Sequence, residues 1–124
     1  MKVLMFQPCF EDRVRDGRKT QTIRAERKRA PVAPGDKLSL RAWLGQAYRS
    51  KQRELLESVC ESVTPILIFW DHLGWIITLN GMRLSDEECA LLARADGFGS
   101  TAEMIQWFEG GSGLPFEGVV ITWQ

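Results

Sequence analysis

Histidine is nearly absent from this chain: His72 is the only one in 124 residues, and the three cysteines, Cys9, Cys60 and Cys89, show no C-x-x-C spacing. A multi-histidine metal site or a histidine-based nucleophile triad would therefore need an unusual set of ligands or partners. The odd cysteine count argues against a disulfide framework and a structural zinc site, so the thiols are predicted to be reduced and mostly buried. His72, in Trp70-Asp-His-Leu-Gly74, reads as part of a surface turn. Long apolar runs are also lacking. The longest, Ile66 to Trp70 after Pro65, cannot cross a bilayer, and the first residues lack the basic-then-apolar layout of a signal peptide. The expectation is a soluble, cytoplasmic protein with no metal, no cofactor and no membrane partner.

What is present suffices for one core. With 44% hydrophobic and 10% aromatic residues, residues 1–124 are expected to form a single domain. The zero net charge conceals a segregation: up to Arg53 there are 14 Lys and Arg against 5 Asp and Glu, and beyond it 2 against 11, so the halves carry +9 and −9. Unless folding pairs these charges, one face is basic and attracts phosphates or other anions.

Lys2 to Phe6 reads as a strand, Phe10 to Asp16 as a short helix stopped by Gly17, and Thr20 to Arg24 as a second strand. A basic, proline-containing loop, Ala25 to Pro34, leads through Gly35-Asp36 into Lys37 to Trp43. There Leu38, Leu40 and Ala42 alternate with Ser39, Arg41 and Trp43, so one face is core and the other available. Leu44 to Arg53 is polar and aperiodic, and Leu55 to Phe69 reads as one bulged strand or two broken at Pro65. Trp75 to Leu79 and Met82 to Leu84 flank an Asn80-Gly81 hairpin turn. Capping boxes, Ser85 with Glu88 and Ser100 with Glu103, open two helices, the first ended by Gly97 and the second running through Phe108. Val119 to Trp123 is a closing strand. Trp70, Trp75, Trp107 and Trp123 sit in apolar patterns and are expected in the core. The order suggests a compact α+β barrel rather than a parallel sheet.

The segment Gly17-Arg-Lys-Thr-Gln-Thr-Ile-Arg24 carries the strongest chemical signal. A helix ending in G-x-K-T, a T-x-R strand, the Gly35-Asp36 pair before a strand, and Asp96-Gly-Phe98 leading into a helix with Met104, Trp107 and Phe108 together resemble the ASCH family. The resemblance covers nearly the whole chain, least distinctively from Leu55 to Leu84. It implies a small PUA-like β-barrel with flanking short helices and a pocket for RNA or a modified nucleoside. In one bacterial branch it implies hydrolysis of the amide in N4-acylated cytidines by a lysine, a threonine and a glutamate. Position by position, these fall on Lys19, Thr22 and Asp96; the last is one methylene shorter than the family's glutamate.

The residue types themselves suit that chemistry. A threonine hydroxyl needs a base, and a lysine serves only where burial or nearby cations lower its pKa. A carboxylate, Asp96 or an alternative such as Glu26, could orient the ammonium or shuttle a proton. Arg24 is suited to a base carbonyl or an oxyanion. In a regular strand Thr20, Thr22 and Arg24 share a face and Lys19 lies on the other, so Lys19 meets Thr22 only if the strand begins after it. A second constellation, Tyr48-Arg-Ser-Lys51 with Arg41 and Trp43 before it, interleaves rings with cations as base stacking and phosphate clamping require. The candidate catalytic residues are thus Lys19, Thr22 and Asp96, and the candidate substrate-binding residues Arg24, Thr20, Arg41, Tyr48, Arg49 and Lys51. The leading expectation is a metal-independent amidohydrolase for an acylated cytidine. Its competitors are a non-catalytic RNA-binding module, an RNA-cleaving one, and an interaction domain with a vestigial pocket.

Overall fold

A computed structural model describes all residues, Met1–Gln124. Its strands are β1 (Lys2–Phe6), β2 (Gln21–Arg24), β3 (Lys37–Trp43), β4 (Gln52–Asp71), β5 (Gly74–Leu79), β6 (Met82–Arg83) and β7 (Phe116–Trp123). Helix α1 (Glu11–Arg15) follows a 3-10 turn at Pro8–Phe10, and α2 (Asp86–Ala95) and α3 (Thr101–Gly110) precede β7. The result is a mixed α+β protein with an open seven-stranded sheet and three short helices. No helix is long and apolar enough to cross a membrane.

The sheet is organised by β4, which at 20 residues is far longer than an ordinary strand. Two register shifts, opposite Leu40/Arg41 and at Cys60/Ser62, each insert an extra β4 residue. Such bulges bend a strand and increase its twist. The first part of β4 therefore pairs with β3, and the later part pairs with β7 and β5. Pro65 does not divide it. Its carbonyl accepts from the Asn80 N–H at 2.9 Å, so the missing N–H faces the β5–β6 turn, where no ladder rung is lost.

β1 pairs parallel with β3, and β2 antiparallel with β7. These outer strands share no ladder pairing, yet arginine side chains span them: Arg24 Nη2 donates to the Met5 carbonyl at 3.2 Å, and Arg27 donates to that of Val3. Buried apolar side chains from both parts of the sheet and from all three helices form one cluster.

The local signals set the helix ends. Gly17 leaves α1 at φ +85° and Gly97 leaves α2 at φ +93°, both in the region that favours glycine. Ser85 and Glu88 form a complete capping box. At α3 only half of the expected box forms, because the Glu103 carboxylate accepts from the Gly99 N–H rather than from Ser100.

The expectation of mostly buried thiols holds for two of three, and two other expectations are corrected. Cys60 and Cys89 are buried, but Cys9 is exposed, because in the 3-10 turn it is Phe10 that points inward. Trp123 is in the core, whereas Trp70, Trp75 and Trp107 are 48%, 39% and 37% exposed. Trp70 and Trp75 are a cross-strand pair near the end of the β4–β5 hairpin and pack edge-on against each other. Finally, the outward face of β3 is not wholly free: Ser39 is buried, donating to Glu54 Oε1 and accepting from Arg41 Nε, both at 2.7 Å.

Candidate active site

Lys19 is buried because its backbone is pinned between two helix ends. Its N–H donates to the Arg13 carbonyl at 2.8 Å, and the next N–H, of Thr20, donates to Ala95 at 2.9 Å. β2 begins only at Gln21, so Lys19 stands outside the strand alternation and can share a cavity with Thr22. Its side chain, 2% exposed, crosses the Phe10 ring with Nζ 4.6 Å from the centroid. Nζ then donates to the Asp96 carbonyl at 2.5 Å and lies 3.2 Å from Asp96 Oδ2.

Asp96 is the C-cap of α2, and Gly97 follows it at φ +93°, a conformation that favours glycine; a Cβ there would stand in ordinary contact, 3.4 Å, with the Lys19 side chain and the Phe10 ring. Gln21 Nε2 lies 3.4 Å from both Asp96 Oδ1 and the Leu92 carbonyl, so the buried carboxylate has two polar neighbours. On the same cavity, Thr22 Oγ1 accepts from Arg24 Nη2 at 3.1 Å and Nε at 3.4 Å. The Arg24 guanidinium also lies over the Phe6 ring, 5.2 Å from its centroid.

The hollow has a volume of about 170 Å³, and Lys19, Thr22, Arg24 and Asp96 all line it, with Trp107 among the apolar residues on its wall. That is small for a whole ligand and suited to one ring and a short substituent. Its electrostatics are dominated by burial. Burial lowers the Lys19 pKa, opposed by Asp96 and aided by the Arg24 charge. Burial raises Asp96 to about 6 against the pull of Lys19 and Gln21. Burial also brings Arg24 down to about 10, with Arg27 adding repulsion. Both members of the Lys19–Asp96 pair are thus driven toward their neutral forms, the condition under which an amine can accept a proton. The Lys19 hydrogen bonds run to Asp96 rather than to Thr22, whose hydroxyl keeps its own proton available for donation.

The remaining candidates lie elsewhere. Thr20 is exposed and does not line the hollow, since the strand starts after it. Arg41 is held by Ser39 and by Gln52 Oε1 at 3.1 Å. Arg49 and Lys51 are exposed. Tyr48 stands at φ +64° and packs on Trp43, ring centroids 5.3 Å apart, lining a second hollow of about 470 Å³. This second hollow shares Met5, Phe6 and Gln7 with the first. Glu26 is exposed and does not line the first hollow, which leaves Asp96 as its carboxylate.

Sequence reasoning missed Gln21 and Trp107. Gln21 opens a short strand beside the exposed Thr20, and no local pattern marked it; Trp107 had the same helical spacing as a core residue. No three His, Cys, Asp or Glu side chains cluster so as to hold a metal ion. The chain matches no family model, and no curated protein or solved structure is significantly similar to it.

Proposed function

We propose that this protein is an amidohydrolase that removes the acyl group from N4-acylated cytidine-type nucleosides, on a scaffold of the PUA-like, ASCH kind. One observation carries the reading: a buried lysine–carboxylate pair, a threonine hydroxyl and an arginine converge on one small hollow. The spanning of β1 and β2 by Arg24 and Arg27 supports a barrel-like reading of the open sheet.

In the proposed reaction the acylated exocyclic amide enters the hollow and the ribose stays outside. Thr22 Oγ attacks the amide carbonyl while the neutral Lys19 amine takes its proton. Arg24, already donating to Thr22 Oγ1, stabilises the developing oxyanion. Collapse breaks the C–N bond, and Lys19 returns the proton to the leaving N4 amine. Water then cleaves the threonine ester with Lys19 again as base, giving the carboxylic acid and free Thr22. Asp96 holds the ammonium form between steps. Three unpaired cysteines fit a reducing, cytoplasmic setting.

Incubation of the purified chain with N4-acetylcytidine, following cytidine release, tests the reading. Turnover lost in Lys19→Ala and Thr22→Val and retained in Thr22→Ser is expected. No turnover in the wild type, or unchanged turnover in Lys19→Ala, removes it.

A second reading, a non-catalytic RNA-binding module, is favoured by the ion pairs. Four of five, Lys2–Asp36, Arg15–Asp12, Arg18–Asp16 and Arg53–Glu11, lie within the basic half, and only Lys19–Asp96 joins the halves. The cations without a carboxylate partner include Arg27, Lys28, Arg29, Lys37, Arg49 and Lys51, all exposed. Steeply salt-dependent RNA binding without nucleoside hydrolysis would select this reading, and metal-independent strand scission would select its RNA-cleaving variant.

A further inference from the structure

The peptides 18–19 and 96–97 each present one residue to the hollow just described and the neighbouring residue to a different one. Lys19 and Asp96 face inward, while Arg18 and Gly97 line a separate open groove of about 380 Å³. The rest of that groove is Arg13, Arg94, Phe98 and Gly99. Three guanidinium groups from three chain segments thus border a space whose only large apolar neighbour, Phe98, is turned into the core and is 6% exposed.

We infer that this groove is a binding site for a phosphate group, distinct from the amide-hydrolysing hollow and independent of what that hollow does. The charges facing it do not cancel. Asp16 neutralises Arg18, with Nε 2.8 Å from Oδ2. Glu103 stands at the rim, its carboxylate accepting from the Gly99 N–H at 3.0 Å. Asp96 lies behind the loop and is committed to Lys19. Arg13 and Arg94 form no ion pair with any carboxylate. Arg13 is moreover held in place, donating Nη1 to the Gly97 carbonyl at 2.6 Å and resting against the Phe10 ring. A pre-positioned guanidinium beside a second one with no carboxylate partner suits a tetrahedral phosphate group, whose anionic oxygens accept paired N–H groups from such forks. Arg18 would join by exchanging Asp16 for the phosphate.

The test is a titration of the full chain with inorganic phosphate at constant ionic strength, read from the backbone amide resonances of Gly97, Phe98 and Gly99. Expected are saturable shifts at these three residues, with affinity weakened by about tenfold or more in Arg94→Gln and Arg18→Gln. Both variants alter exposed side chains, so the fold persists, and Arg13 is left intact because it ties α1 to the Gly97 loop. Shifts that chloride reproduces, or equal phosphate affinity in wild type and both variants, would overturn the proposal. Parallel titrations with a nucleoside 5′-monophosphate and with a short single-stranded RNA separate the sources. Tighter binding of the monophosphate assigns the site to a terminal phosphate, and tighter binding of RNA assigns it to a phosphodiester backbone.

Discussion

Two basic stretches of this chain meet opposite fates. Between residues 17 and 24 the cations Lys19 and Arg24 are drawn out of solvent, while between 41 and 51 Arg49 and Lys51 stay in it and Arg41 is tied to the sheet surface. The difference lies in what each stretch is offered. Lys19 finds a carbonyl, a carboxylate and an aromatic face, and Arg24 finds a carbonyl, a hydroxyl and a second ring. No buried side-chain polar atom in the protein lacks a partner. Burial of a charge costs several kcal/mol before compensation, so such an assembly marks the place where the fold tolerates a cost that solvent would have removed. The outer stretch carries no such cost and its charges are free to act only at long range.

The contrast breaks most visibly at Lys19. Replacing it by methionine leaves Asp96 buried without its cation, and at pH 8 the expected loss is about 3–5 kcal/mol by urea unfolding. At pH 5, where Asp96 takes up a proton, the loss should shrink to less than half. An equal loss at both values would mean that packing, not charge, is what Lys19 supplies.

Asp96→Asn tests the same pair from the other side. With a folded pKa of about 6 against the ordinary aspartate value of 3.8, the folded wild type binds more protons than the unfolded chain between those values. This group's contribution to stability therefore declines as pH rises from about 4 to about 6 and is level above, a change on the order of 3 kcal/mol. The asparagine variant should lack that decline. It keeps an ammonium whose folded pKa is lowered, so the unfolded chain binds more protons and the variant should gain stability as pH rises toward the ordinary lysine value. Unfolding midpoints measured from pH 4 to pH 10 in both proteins would show the two slopes, and parallel curves would refute the pairing.

How far this region could be read from sequence follows from the distances along the chain. Gly17, Lys19, Thr22 and Arg24 lie within eight residues, and a turn followed by a short strand is a local matter. So are the caps at Ser85 and Ser100. Asp96 lies 77 residues from Lys19, and only the family resemblance pointed to it, because no local pattern reports which helix end will meet which turn. The exposed Trp70 and Trp75 escaped for a related reason: alternation shows that two residues share a face, not whether the hairpin extends past the core. The continuity of β4 through Pro65 depended on the β5–β6 turn lying opposite a missing N–H, a fact of pairing and not of the proline.

The placement of Arg24 also rests on a residue with no side chain. Gly118 on β7 passes so close to β2 that a Cβ there would lie 2.5 Å from the Arg24 carbonyl oxygen and 2.9 Å from the Phe116 ring. Gly118→Ala must displace backbone and should cost about 1–3 kcal/mol. It should also perturb the Arg24 and Thr22 amide resonances; unchanged resonances would mean that β2 is positioned by other contacts.

The smallest effect belongs to the outer stretch. Arg49→Ala and Lys51→Ala remove exposed charges that form no ion pair, so unfolding free energies should stay within about 0.5 kcal/mol of wild type at every pH. On the hydrolase reading, turnover of a free acylated nucleoside should be equally indifferent, because neither side chain lines the small hollow. On the RNA-binding reading, affinity should fall, with a shallower dependence on salt, since fewer counterions are released on binding when a cation is removed. A variant that lost nucleoside turnover while keeping its stability would place these side chains over the bound substrate, and the separation between an inner, costly pair of cations and an outer, inexpensive one would no longer describe how this protein uses its charge.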